Sequence, residues 1–142
     1  MIPAEKIFLL FDDDDSLNLE ENELNSMYMK LGMFSKIIEN SSVIFLQVKA
    51  IFKSFKNVEW DFDKTIEVTH NIVFNKAYFY IKNFNIEDTK HIDTLKCFNY
   101  NRLVSNLNQT INFFEIKEEY EKCAFLFRIK DWIEKEKSSL IS

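Results

Sequence analysis

Glycine and proline are almost missing from this chain: Gly32 and Pro3 are the only residues of their kinds. A β-rich protein needs turn residues between its short strands, so this scarcity excludes sandwiches and barrels and leaves helices joined by polar loops. Cysteine is nearly as rare. Cys97 and Cys123 have no metal-ligand spacing and are expected to be reduced, buried thiols. Arginine occurs only at positions 102 and 128, and no basic stripe interleaves with aromatics, so nucleic-acid binding is not expected. No apolar run approaches the length of a membrane span and no signal peptide is present, which predicts a soluble, cytoplasmic protein without membrane insertion. Glycine-rich phosphate loops, nucleophile elbows, CxxC pairs and HExxH are all missing, and His70 and His91 are far apart in sequence. No enzyme is expected.

What is present is apolar mass and unevenly placed charge. Hydrophobic residues make up 46% of the 142 positions, and phenylalanine alone supplies 15, enough to bury a core and to exclude disorder. The net charge is −5, yet residues 1 to 25 hold eight acids against the single Lys6, a local −7 that leaves +2 for the remainder.

Much of that acidity lies in FDDDDSLNLEENEL. Asp12, Asp14, Ser16, Asn18, Glu20 and Glu23 occupy positions 1, 3, 5, 7, 9 and 12 of a twelve-residue calcium loop. Calcium takes six to eight oxygens, so a short loop turns alternate side chains inward and closes on a bidentate carboxylate, here Glu23. Asn18 would give its carbonyl and Glu20 would act through water. Leu17 stands where such loops have glycine. A solvated acidic turn leading into a helix is the plainer account of the same residues.

The flanks are helical. Pro3 suits an early helical position, Ile7, Phe8 and Phe11 share a face before the loop, and Leu24, Met27, Tyr28 and Leu31 share one after it, with Gly32 as the expected stop. Through F-x-x-F-D…E-L…L-G the chain resembles the first hand of the EF-hand superfamily, calmodulin and the myosin light chains. The resemblance implies an all-α fold of paired helix-loop-helix units in two lobes, with most loops degenerate. The N-terminal lobe would span residues 1–72, with hands at about 3–32 and 43–72, and a degenerate C-terminal lobe would span 73–142.

The later hands carry poor ligands. In the second, Ser41 or Ser42 would cap a helix bearing Ile44, Val48 and Ile51, but Lys53, Phe55 and Lys64 take loop positions 1, 3 and 12. A third entering helix carries Ala77, Tyr80, Ile81 and Phe84, and its loop, Asn85 to Lys96, offers only Glu87, Thr89 and Asp93. Calcium is therefore expected at the first loop alone. In the tail, Leu103, Leu107, Ile111 and Phe114 form one helical face and Ile129, Trp132 and Ile133 another. Residues from about Glu118 to Lys137 are either a fourth hand without loop chemistry or one helix of a hairpin.

One ligand set among eroded ones is more like a light chain than a switch. The expected function is a non-enzymatic light chain of the essential type, cytoskeleton-associated, clamping an IQ-type helix of a myosin heavy chain and stiffening its lever arm. Met27, Met33 and Phe34, with Met29, are the candidate partner-binding residues, although core packing is the favoured account of the same side chains. A calcium sensor using only the first hand is the alternative, and an acidic helical adaptor or inhibitor outside the EF-hand superfamily is the third reading.

Overall fold

The computed structural model describes residues 19–54 and 61–141, all of it helix and turn. The five helices are α1 (Leu19–Ser54), α2 (Phe62–Ile81), α3 (Thr89–Leu95), α4 (Tyr100–Ile116) and α5 (Tyr120–Ile141). Three starts are explained by local chemistry. The carboxylate of Asp61 accepts from the Lys64 amide at 3.2 Å, that of Asp88 from the Lys90 amide at 2.9 Å, and the Asn99 side chain from the Arg102 amide at 3.0 Å. Each capping oxygen satisfies an amide that the first helical turn leaves without a carbonyl.

The helices pack as two hairpins and a short crossing piece. α1 lies along α2, with the Phe45 ring edge-on to His70 at 4.1 Å. α4 and α5 run antiparallel: Tyr100 meets Trp132 at 6.5 Å between centroids, and the Cys123 thiol reaches the Ile111 carbonyl at 3.6 Å. Phe74 of α2 stacks on Phe113 of α4 at 4.7 Å, which joins the hairpins. One core collects side chains from every helix, including Leu31, Phe34 and Ile38 of α1, Ile81 of α2, Leu95 of α3, Leu107 and Phe114 of α4, and Ile129 of α5. Each such large side chain contributes about 1.5 to 3 kcal/mol by leaving water.

Two expectations are corrected. Gly32 does not stop a helix; it lies inside α1, which runs 36 residues, about 54 Å at 1.5 Å per residue. Ser41 does not cap a new helix: it is buried within α1, and its hydroxyl bonds back to the Ile38 carbonyl at 2.5 Å. Asn85 and Asp88 spend their side chains on backbone amides, and residues 89–95 coil into α3. Residues 72 and 73 both lie within α2, and the core takes side chains from before and after them. The described residues are all-α, as expected. The tail resolves in favour of the hairpin, with Glu118 at φ 60° in its turn.

Candidate helix-docking groove

Where α1 passes the turn between α3 and α4, the two do not close on each other. A cavity of about 450 Å³ opens there, lined on α1 by Tyr28, Met29, Gly32, Met33 and Lys36, and on the other side by Phe98 of the turn and by Arg102 and Leu103 of α4. Its shape follows from the sequence of the turn. Asn99 caps α4 and so fixes the preceding residue, Phe98, whose ring lies 5.2 Å from that of Tyr28. The floor is thioether and aromatic carbon, and Lys36 and Arg102 add positive charge at the rim.

Below the cavity a polar clamp joins α1 to α4. Arg102 Nε donates to Glu39 Oε2 at 2.6 Å, its Nη2 donates to Glu39 Oε1, and Asn106 Nδ2 donates to Oε2 at 3.2 Å. The Arg102 hydrogen bond holds the Glu39 carboxyl below the usual carboxylate range, partly opposed by burial. Asn106 is itself buried, so its amide is satisfied by the clamp and not by water.

The open face continues past the cavity. Met29, Gly32, Lys36, Glu39, Val43, Leu46 and Ala50 recur at alternating steps of three and four along α1, the spacing of a coiled-coil seam. Met29 is 43% exposed, Val43 51% and Leu46 66%. Beyond Ser41, no described side chain of α1 is buried. The groove and this stripe form one surface of mixed apolar and charged character, a suitable bed for an amphipathic helix.

The expected site residues fall in different places. Asp12, Asp14, Ser16 and Asn18 lie outside the described residues. Glu20 and Glu23 lie three apart in the first turn of α1, which starts at Leu19, position eight of the expected loop. Among the described residues no group of three or more His, Cys, Asp or Glu is placed to hold a metal ion. Of the candidate partner-binding residues, Met27 and Phe34 are buried in the core, while Met33 lines the cavity with Met29. Tyr28, which shares the expected apolar face of Leu24, Met27 and Leu31, is exposed and lines the cavity. Cys97 is exposed as well, not buried, and both cysteines are free.

Sequence reasoning missed Gly32, Phe98 and Arg102. A seven-residue reading of α1 was the signal that could have found the first, but it requires knowing that the helix continues through the glycine. No family model, no curated protein and no solved structure matches this chain. No helix among the described residues is long and apolar enough to cross a membrane.

Proposed function

We propose that this protein is a non-enzymatic helix-docking module that holds an amphipathic helix against the exposed face of α1. The observation that carries the reading is the open cavity between α1 and the α3–α4 turn, whose Met29 and Met33 thioethers and Tyr28 and Phe98 rings supply adaptable apolar contact. Lys36 at the rim favours a helix that carries an acidic residue beside its apolar stripe. An IQ-type helix of a myosin heavy chain, the partner implied by the light-chain resemblance, is basic. It would be drawn to the acidic first 25 residues and would lay its apolar side in the groove.

Methionine-methyl NMR of the full chain tests this. Titration with a synthetic amphipathic helix, IQ-type in one series and acidic in another, should shift the Met29 and Met33 methyls and leave buried Met27 in place. A spectrum unmoved by either peptide would remove the helix-docking reading.

A second reading, calcium binding at the first loop, rests on the sequence spacing of Asp12, Asp14, Ser16, Asn18, Glu20 and Glu23. Calorimetric titration decides it: heat at micromolar calcium that disappears in Glu23→Gln supports a sensor, and no heat at millimolar calcium excludes it.

A further inference from the structure

Gly32 is the only glycine in the chain, and the fold gives it nothing to do. It lies within α1 without positive φ, and a Cβ built on it meets no atom within 4 Å. Among the described residues, neither a turn nor a close internal contact accounts for a residue that weakens a helix interior. Such a position makes sense where another backbone or a large side chain approaches from outside the chain. Gly32 opens into the cavity.

The surrounding seam is complementary to itself. When two copies of α1 are laid antiparallel about an axis between Lys36 and Glu39, each seam residue from Met29 to Leu46 faces one of complementary size or sign. Met29 lies opposite Leu46 of the second copy, Gly32 opposite Val43, and Lys36 opposite Glu39. By two-fold symmetry every contact occurs twice, as an isologous interface demands. The smallest residue meets a β-branched one, the apolar ends meet each other, and the central pair joins opposite charges. Leu46, two-thirds exposed, then enters the cavity of the second copy between Met29 and Phe98, as a knob enters a hole.

We infer that the occupant of the groove is a second copy of this chain, docked antiparallel through α1 with Gly32 against Val43. This rests on the helix-docking reading above and names its partner. A foreign helix would need to reproduce the same alternation of apolar and charged positions, whereas a second copy carries it by construction. Lys36 also remains exposed here, so its charge is available to the opposite Glu39 even while that carboxylate is held by Arg102 within its own chain.

Sedimentation velocity of the full chain at rising micromolar concentration tests the inference. The wild type is expected to approach twice the monomer mass. Gly32→Leu, whose Cβ would meet no described atom within 4 Å, and Leu46→Asp, at an exposed position, should each raise the dissociation constant by about tenfold or more while circular dichroism shows an unchanged fold. A wild type that stays monomeric, or a dimer indifferent to both substitutions, overturns the second-copy proposal. Those results leave the helix-docking reading to the methionine-methyl titration: a monomer whose Met29 and Met33 respond to a peptide has a groove for a different helix, and one with no response has none.

Discussion

Arg102 grips Glu39 through two nitrogens across 63 residues of sequence, and this contact fastens the long α1 to α4 at the edge of the groove. Asn106 supports the same carboxylate from one turn further along α4. The clamp therefore determines how far α1 stands from the α3–α4 turn, which is to say how wide the cavity is.

Glu39→Gln removes the charge but keeps the shape. Because Arg102 holds the Glu39 carboxyl below the usual carboxylate range, its contribution to stability is complete at neutral pH and is lost as pH falls below about 4.5 and through the depressed value. The variant should melt a few degrees lower at neutral pH, with a smaller loss on acidification than the wild type. Thermal melts across that acidic window measure both effects, and parallel curves for the two proteins would contradict the clamp's role.

His70 gives a second pH dependence of known sign. Burial against Phe45 and Phe74 disfavours the imidazolium and lowers its pKa from 6.5. The neutral ring is compatible with the packed hairpin, so stability should be full above 6.5 and fall as pH drops through the depressed folded value. His70→Phe should abolish the dependence in mildly acidic buffer while leaving the carboxylate window untouched. Denaturant unfolding at neutral and mildly acidic pH is the appropriate measurement.

The chain's one described left-handed residue and its one glycine are in opposite places. Glu118 adopts φ 60° in the α4–α5 turn, where its amide bonds to the Glu115 carbonyl at 3.0 Å. Glu118→Gly relieves strain and should stabilise the fold by about 1 kcal/mol. Gly32→Ala should also stabilise the monomer, by about 1 kcal/mol, since the added methyl meets nothing internal. It should at the same time weaken self-association. Chemical denaturation and sedimentation on the same pair of variants separate the two roles.

Phe114 reports on the core itself. Fully buried, it packs edge-on to Tyr78 at 5.4 Å and to Phe113, with the Lys122 ammonium 4.8 Å above its ring. Phe114→Ala should cost about 3 to 5 kcal/mol, far more than any groove substitution. A small loss in urea unfolding would mean that α4 is not the centre of the fold.

The sequence was informative where the physical signal is local. Scarce glycine and proline announced helices, and the i, i+4 spacing of Leu103, Leu107, Ile111 and Phe114 marked the face of α4 that is now found buried. Ala77, Tyr80, Ile81 and Phe84 were likewise readable and are in the core. Gly32 misled because a glycine after an apolar face is the usual mark of a helix end, and only tertiary packing on both sides of it keeps α1 going. Ser41 misled for the mirror reason: a serine that starts helices elsewhere can return its hydroxyl to its own helix. The groove was half legible. Met29 and Met33 stood out as thioethers, but Phe98 and Arg102 reach them across more than sixty residues, by a fold that periodicity alone does not determine.

Disulfide trapping tests the central relationship most directly. With Cys97 and Cys123 replaced, Gly32→Cys and Val43→Cys are introduced together; in one helix these positions are about 16 Å apart and cannot bridge. Mild oxidation should give a covalent dimer, while a control pairing Gly32→Cys with Ala50→Cys on the same face should stay monomeric. Equal trapping of both pairs, or of neither, would contradict an antiparallel α1 interface with Gly32 against Val43.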